Sequence, residues 1–286
     1  MSITHQPLHS DFGIEIQGIE LAAAGDSTFH EIELAGERHS LLLLRGQHLD
    51  DDKQLALTRR FGALEFAHLA YARDGSIEYI GHIGNVDKAG RHLGASHPDV
   101  AFGAGNYLWH SDSSFRPAPA KYSLSYAYEV TPEGGELEFV STRAAYKRLP
   151  AATKTLLEGQ VGIHDYVYSR SQAAEVPANV AATLPPVRQR LVRTNPATGG
   201  KNYYVGSHLK TIAGWKPSEA RALIDALIAG ATRDPDIFRH RWEAGDLLIW
   251  DNRCLLHRGR AYDADQYRRR MHQTRVAGVP TLEEPV

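Results

Sequence analysis

His110, Asp112 and His257 are the residues whose types and spacing point most directly to chemistry. Two imidazoles and one carboxylate form the facial triad that holds a non-haem Fe(II) and leaves the opposite face of the metal open. An isolated H-x-D tripeptide is a weak signal, for which a core histidine and a surface histidine would be the ordinary explanation. Here the tripeptide lies beside a tryptophan in residues 108–115, and His257 closes a run that begins at Trp250. In these contexts the three residues predict a metal site.

Strand geometry would bring the first two ligands together. Because residues i and i+2 of a strand share a face, we expect His110 and Asp112 to point inward from one strand, with Ser111 facing away. His257 follows an apolar run that ends at a turn-like Arg258-Gly259, so a distant strand must supply it. Three protein ligands leave open positions on an octahedral metal, enough for a bidentate 2-oxo acid and O2. Zinc is the main alternative, although a catalytic zinc usually takes three protein ligands and a water in a tetrahedron.

Composition and charge argue against several classes of protein. The hydrophobic fraction of 42% over 286 residues supports a sizeable core, but apolar runs such as residues 40–44 are strand-sized rather than the roughly 20 residues of a membrane span. The amino-terminal residues lack the basic flank and apolar stretch of a signal peptide. Cys254 is the one cysteine, which excludes an internal disulfide and predicts a reducing, cytoplasmic environment. The formal net charge of −2 gives no electrostatic reason to expect nucleic acid.

Periodicity along the chain predicts many short strands with helices mainly at their flanks. Helices are predicted over residues 26–39, 50–61, 141–149, 151–158 and 218–231, the last capped by Ser218. Strands are predicted over residues 14–19, 41–45, 122–130, 192–194, 203–205 and 268–276, and within 237–251. A parallel α/β fold would need a more regular alternation. The expected fold class is therefore mainly β with flanking helices, a double-stranded β-helix (jelly roll) forming one domain over residues 1–286, with an irregular insertion around 168–186.

Six motifs follow one another along nearly the whole chain: Leu43-Leu44-Arg45-Gly46-Gln47, Arg60-Phe61-Gly62, Trp109-His110-Ser111-Asp112-Ser113-Ser114-Phe115, Arg143-Ala144-Ala145-Tyr146, Trp250-Asp251-Asn252-Arg253 and His257-Arg258-Gly259-Arg260. In this order they resemble the TauD/TfdA family of Fe(II)- and 2-oxoglutarate-dependent dioxygenases, and most closely its aryloxyalkanoate (2,4-dichlorophenoxyacetate-type) branch. The resemblance implies a double-stranded β-helix with His110, Asp112 and His257 as iron ligands, and 2-oxoglutarate and O2 as cosubstrates.

The far carboxylate of 2-oxoglutarate needs a cation, and arginine offers a planar, two-pronged donor that matches it. In the family this arginine follows the distal histidine on the last strand. With one inserted residue the match is Arg269, and Arg268 is the ungapped alternative. If Arg269 points inward, strand alternation puts Gln273 and Arg275 on the same face, and Arg268 and Arg270 on the other.

The chain departs from the family pattern at two positions. Leu137 occupies the place of a threonine that usually helps to bind the 2-oxoglutarate carboxylate, which predicts the loss of one hydrogen bond worth about 0.5–1.5 kcal/mol. Gln273, a candidate substrate contact, stands where relatives have an arginine for the substrate's acidic group, and Arg275 is expected to take over the binding of that group. The resemblance also makes Asn106 a substrate contact, although an asparagine after residues 103–105 is equally well explained by turn chemistry.

Residues 66–100 follow the Arg60-Phe61-Gly62 motif where relatives place a substrate-covering loop, and we expect an active-site lid there. Within it, His68, Tyr71 and His82 are candidate substrate contacts, each also consistent with an ordinary surface residue.

The expected function is hydroxylation of a small organic acid, an aryloxyalkanoate or related aromatic carboxylate, with ether cleavage and release of succinate and CO2. Taurine or another alkylsulfonate is the alternative substrate within the family. Outside the family, the alternatives are a zinc hydrolase and a non-catalytic jelly-roll binding protein. We expect a homo-oligomer acting on a small molecule, with neither nucleic acid nor membrane as partner.

Overall fold

Strands and helices alternate irregularly through residues 4–67 and 75–280, the residues that the computed structural model describes. The helices are α1 Asp26–His39, α2 Asp51–Phe61, α3 Pro98–Gly103, α4 Thr142–Arg148, α5 Ala151–Leu157, α6 Tyr166–Arg170, α7 Ala178–Thr183 and α8 Pro217–Ala231. The strands are β1 Thr4–Pro7, β2 Ile14–Gln17, β3 Leu41–Leu44, β4 Leu64–Glu65, β5 Gly81–Gly84, β6 Ala120–Glu129, β7 Leu137–Ser141, β8 Val161–His164, β9 Val187–Arg190, β10 Val192–Thr194, β11 Lys201–Tyr203, β12 Leu209–Ile212, β13 Phe238–His240, β14 Leu247–Asp251, β15 Leu255–Gly259 and β16 Arg270–Ala277.

The main sheet has eight strands in the order β1-β2-β3-β14-β6-β16-β4, with β5 also paired to β16. Its pairs are antiparallel except for the parallel pair of β2 and β3. Three smaller sheets accompany it, in the orders β13-β7-β15, β12-β8-β9 and β10-β11. The described part of the chain is therefore rich in sheet with helices at its flanks, which agrees with the mainly β class predicted from the sequence.

Strand β3 is buried along its whole length because the main sheet is covered on both faces. Leu42 and Leu44 belong to a core shared with α1 and α2, whereas Leu41 and Leu43 belong to a second core shared with β7 and β15. Period-two alternation along the strand produces this division. The neighbouring strand β14 repeats it. A continuous apolar run in the sequence thus marks a strand that lies between two layers.

The second core carries aromatic side chains up to the candidate ligand His257. Trp250 of β14 packs on Phe139 of β7 with ring centres 5.6 Å apart. Both rings contact His257 of β15, at 4.9 Å and 5.9 Å between ring centres. The imidazole of His257 is therefore held between the main sheet and the β13-β7-β15 sheet.

The five predicted helices agree with α1, α2, α4, α5 and α8 to within one residue at each end, whereas α3, α6 and α7 were not predicted. Helix α8 begins at Pro217 after the N-cap residue Lys216, so Ser218 is not the cap. Proline suits the first helical position because the N–H that it lacks would have no partner there. Residues 168–186, expected to be irregular, contain the end of α6 and all of α7. No helix within the described ranges has both the length and the apolar character needed to cross a lipid bilayer.

Candidate active site

His110 and His257 lie opposite each other and are joined by two backbone hydrogen bonds. The N–H of His110 donates to the carbonyl oxygen of His257 at 3.0 Å, and the N–H of His257 donates back at 2.8 Å. Oδ1 of Asp112 lies 3.6 Å from Nε2 of each histidine. The three ligand atoms all lie within 4.8 Å of one another, which places them around a point that an ion with ligands at about 2 Å could occupy.

The backbone at this point differs from the strand predicted for His110 and Asp112. His110 makes an isolated bridge with His257, and the chain then turns at Ser113, whose φ of 57° lies in the left-handed region. His257 lies inside β15, so Arg258-Gly259 continues the strand instead of forming a turn. The ligands therefore converge through a bridge and a turn rather than through one regular strand.

Hydrogen bonds hold the carboxylate of Asp112 in a single orientation. Its Oδ2 accepts from Oγ of Ser123 and from Nε2 of Gln273, both at 2.7 Å, and Oδ1 is left facing the histidines. The N–H of Asp112 donates to Oδ1 of the buried Asn252 at 3.1 Å. Asn252 also accepts from Nε1 of Trp250 at 3.0 Å and donates to Ser123 at 2.8 Å. Such outer partners orient a metal ligand, which gives the Trp250-Asp251-Asn252 motif a structural role.

The protonation states of His110 and Asp112 suit a divalent metal. Nδ1 of His110 lies 2.7 Å from the carbonyl oxygen of Leu108, so Nε2 is the nitrogen directed at the site. Burial and the neighbouring His257 lower the pKa of His110 to about 3, which keeps its imidazole neutral at pH 7. Burial alone would raise the pKa of Asp112, but His257, His110 and Arg275 hold it well below its ordinary value. A neutral imidazole and an ionised carboxylate are among the donors that Fe(II) takes in this kind of site.

Two cavities open onto the triad. The smaller, of about 150 Å³, has a wall formed in part by Tyr107, Leu137, Trp250, Tyr262 and Arg269. The larger, of about 590 Å³, has a wall formed in part by Phe102, Phe115, Arg170, His208 and Arg275. Several side chains line both cavities, among them His82, Asn106, His110, Asp112 and Gln273.

Arg269 reaches the smaller cavity without a carboxylate partner in the described part of the chain. It is 8% exposed, and its Nη2 makes a long 3.4 Å hydrogen bond to the carbonyl oxygen of Gly135. Its backbone N–H donates to Oδ1 of Asn85 at 2.8 Å. At Gly84, with φ of 127°, a Cβ atom would lie 2.0 Å from the carbonyl oxygen of Arg269, so glycine permits this close approach of β5. A buried guanidinium without a counter-ion is costly, and this cavity therefore suits an anion.

Arg268 lies on the outside of the protein. Its side chain is 42% exposed, and Nε donates to Oε2 of Glu129 at 2.8 Å. It lines neither of the two cavities. Of the two arginines that the sequence left open as an anchor, Arg269 is the one at the site.

The two candidates for the substrate's acidic group are already engaged. Gln273 lines both cavities, but its amide is bonded to Asp112. Arg275 lines the larger cavity, and its Nε donates to Oε1 of the buried Glu65 at 2.8 Å. Its charge therefore has a carboxylate partner within the protein.

Two of the remaining predicted substrate contacts, Asn106 and His82, line both cavities. Oδ1 of Asn106 accepts a 2.8 Å hydrogen bond from Nη2 of Arg170. The ring centre of His82 lies 4.6 Å from that of His272 on β16. Residues 76–93 contribute much of the wall of the larger cavity, the place expected for a lid. Two further candidates lie outside the described residues: His68 and Tyr71.

Several residues that line or contact the site had no signal in the sequence. Arg170 lies in the segment expected to be irregular, and nothing in its neighbourhood distinguishes it. His208 lines the larger cavity with its Nδ1 3.1 Å from Oγ of Ser114. Asn85 and Ser123 act through other residues, and only three-dimensional contacts identify them.

Two histidines and one carboxylate around an open metal position, beside a cavity with an unpaired buried arginine, define a mononuclear non-haem iron site. The family model described as taurine catabolism dioxygenase TauD, TfdA family matches residues 4–275 of the chain. The chain belongs to this family.

The chain is similar along nearly its whole length to characterised members. It is 38% identical to an alpha-ketoglutarate-dependent 2,4-dichlorophenoxyacetate dioxygenase of Cupriavidus pinatubonensis, over 92% of this chain and 94% of the relative. It is 33% identical to an (S)-phenoxypropionate/alpha-ketoglutarate-dioxygenase of Delftia acidovorans, over 97% and 96%. The crystal structure of AAD-2 in complex with Mn(II) and N-oxalylglycine superposes with a TM-score of 0.90 at 36% identity, covering 99% of this chain and all of AAD-2.

Proposed function

We propose that this protein is an Fe(II)- and 2-oxoglutarate-dependent dioxygenase that hydroxylates an aryloxyalkanoate or related aromatic carboxylate, with cleavage of the ether and release of succinate and CO2. The observation that carries the proposal is the pairing of the His110, Asp112 and His257 triad with the unpaired buried Arg269 beside one small cavity. When bound, iron couples the oxidative decarboxylation of 2-oxoglutarate to insertion of the second oxygen atom of O2 into a substrate C–H bond.

The residues of the smaller cavity hold the cosubstrate. Arg269 binds the far carboxylate of 2-oxoglutarate, and the ring of Tyr262 lies 5.9 Å from its guanidinium carbon. Leu137 lines this cavity without a hydroxyl, so the arginine carries more of the binding than in relatives with a threonine. N-oxalylglycine, bound in AAD-2, has the same oxalyl end and the same far carboxylate as 2-oxoglutarate, which supports this assignment.

The larger cavity receives the substrate. Its volume falls in the range of about 300–1,000 Å³ that is typical of small-molecule sites. Phe102, Phe115 and His208 give it aromatic walls, which favour an aromatic acid over a small alkylsulfonate such as taurine. Hydroxylation of a carbon that bears an ether oxygen yields a hemiacetal, whose collapse releases the aryl alcohol. The protein's part is to position that carbon beside the triad and to exclude water.

The proposal also covers the fold of the catalytic domain, the cellular compartment and the oligomeric state. The two sheets that enclose His257 form the halves of a double-stranded β-helix in one catalytic domain, with residues 66–100 acting as its lid. The protein acts in the cytoplasm as a homo-oligomer, with neither nucleic acid nor membrane as partner. The net charge of −2 and the buried thiol of Cys254 support this setting.

Anaerobic addition of Fe(II) and then 2-oxoglutarate to the purified protein tests the proposal. A chelated 2-oxo acid is expected to give a weak visible charge-transfer band, and air should then produce succinate faster with phenoxyacetates and phenoxypropionates than with alkylsulfonates. The proposal would be contradicted if the protein gave neither the band nor substrate-stimulated succinate. It would also be contradicted if the protein converted these substrates with Zn(II) in the absence of O2.

A further inference from the structure

The larger cavity contains one cation that no acid of the described residues neutralises. Of residues 4–67 and 75–280, four lysine and arginine side chains line this cavity. Three are paired with carboxylates: Lys88 with Glu78, Arg91 with Asp87, and Arg275 with Glu65. The fourth, Arg170, has no carboxylate within ion-pair distance in residues 4–67 and 75–280. Its charge is therefore available to an anion that enters the cavity.

All the contacts that hold Arg170 are uncharged. Nη2 donates to Oδ1 of Asn106 at 2.8 Å, and Nη1 donates to the carbonyl oxygen of Phe102 at 3.5 Å. The guanidinium carbon lies 5.5 Å from the ring centres of both Phe102 and Tyr166. Nε is buried and has no hydrogen-bond partner among the described residues. These contacts orient the guanidinium without cancelling its charge, and burial beside aromatic rings strengthens its attraction for an anion.

Gly105 allows the guanidinium to occupy this position. A Cβ atom at residue 105 would lie 2.2 Å from Nη1 and 2.9 Å from Cδ of Arg170. Any other residue at 105 would displace the arginine from its present position. The same turn carries Asn106, which holds the guanidinium from the other side.

We propose that Arg170 binds the acidic group of the substrate. Gln273 is uncharged and bonded to Asp112, and the charge of Arg275 is paired within the protein. Phe115 and His208, with ring centres 4.8 Å apart, line the same cavity. Arg170 therefore selects an aromatic monoanion, whose charged end lies at α6 and whose ring lies against these side chains. This inference rests on the proposed function.

Anaerobic calorimetry on the enzyme loaded with Fe(II) and 2-oxoglutarate tests the assignment, with phenoxyacetate and its neutral analogue phenoxyacetamide as probes. Wild type is expected to bind the acid more tightly than the amide. In Arg170→Met the affinity for the acid should fall about 10- to 100-fold, with little change for the amide. Arg170→Lys should retain part of the preference. Arg190→Met, which makes the same change at an exposed arginine of β9 that lines neither cavity, is the matched control and should keep the full preference.

Gly105→Ala provides an independent variant, because it keeps the charge but displaces the guanidinium. It should weaken acid binding in the same direction, which keeps the test decisive if Arg170→Met folds poorly. An Arg170→Met enzyme that forms the 2-oxoglutarate band and keeps the full acid preference overturns the assignment, and a loss in Arg275→Met instead would give the role to Arg275. A wild type that forms the band without preferring the acid also overturns it. A wild type without the band overturns the proposed function, and this inference with it.

Discussion

Nε2 of Gln273 donates a 2.7 Å hydrogen bond to Oδ2 of Asp112, the carboxylate of the triad. Ser123 donates to the same oxygen at the same distance, so one carboxylate oxygen is held by β16 and β6 and the other faces the histidines. The glutamine that the sequence suggested as a substrate contact thus acts on the metal ligand. Because the amide carries no charge, it orients the carboxylate and leaves its negative charge for the metal.

Gln273→Leu is expected to weaken metal binding about 10- to 100-fold, the usual effect of removing a partner of a metal ligand. Titration of the apoprotein with Mn(II), followed by electron paramagnetic resonance, measures this affinity directly. Gln266→Leu makes the same change at an exposed position. It is the control and should bind Mn(II) like wild type. Equal affinities for the two variants would show that the Gln273 bond to Asp112 contributes nothing to metal binding.

Arg269→Met should raise the KM for 2-oxoglutarate at least about 30-fold, because the far carboxylate loses a charged, two-pronged donor. Arg268→Met makes the same chemical change one residue away, at an exposed arginine paired with Glu129. It should leave this KM within about twofold of wild type, since exposed ion pairs contribute little. Initial rates of succinate formation at varied 2-oxoglutarate measure both values. The reverse order of effects would make Arg268 the anchor.

Leu137→Thr should lower the KM for 2-oxoglutarate, because it places a hydroxyl in the smaller cavity with Arg269. One added hydrogen bond is worth about 0.5–1.5 kcal/mol, which corresponds to roughly two- to twelvefold in affinity. Leu137→Val is the matched control, since it has nearly the shape of threonine and no hydroxyl. If valine lowers the KM as much as threonine, the gain comes from the cavity's shape and the hydroxyl is not used.

Local patterns predicted part of the fold. The apolar run over β3 predicts a strand because both sheet faces are covered, and the helix predicted over residues 26–39 has the same ends as α1. The turn at Ser113 could not be predicted, since a serine with positive φ has no local signature and is held by its tertiary setting. Alternation still placed Gln273 on the face that meets the triad, because the pairing of β16 with β6 is regular between Met271 and Val276. Arg269 precedes β16 and lies beyond the register shift between Arg270 and Met271, so regular pairing does not explain its position.

The sequence does not show which arginine of the site has a carboxylate partner. Arg275 and Arg170 look alike as isolated arginines, and only the positions of Glu65 and Asn106 separate a paired cation from an unpaired one. The roles of Trp250 and Asn252, which the sequence shows only as neighbours of His257 in one motif, also depend on three-dimensional contacts. Asn252 is buried where its Oδ1 accepts from both Nε1 of Trp250 and the backbone N–H of Asp112, and the second of these bonds joins segments far apart in the chain.

The carboxylate of Glu37 links α1 to two distant loops. Its Oε2 accepts from Nδ2 of Asn195 at 2.9 Å and from Nη2 of Arg253 at 2.6 Å, and Lys121 lies 3.3 Å from Oε1. Burial alone would raise the pKa of this carboxyl group, but the hydrogen bonds from Asn195 and Arg253 and the positive charges of Arg253 and Lys121 lower it to about 2. The ionised form is therefore favoured in the folded protein.

The lowered pKa of Glu37 makes its contribution to stability depend on pH. Since the folded pKa lies below the ordinary value of 4.5, the contribution is fully present above about pH 5 and is lost as the pH falls towards 2. Glu37→Gln should therefore lower the free energy of unfolding by about 1–2 kcal/mol at pH 7, a value reduced for solvent screening, and by progressively less below pH 4. Urea unfolding at pH 7, 5 and 3.5 measures the difference, with Glu33→Gln on the exposed side of α1 as control. A difference that stays constant from pH 7 to 3.5 would contradict the assignment of this pH dependence to Glu37.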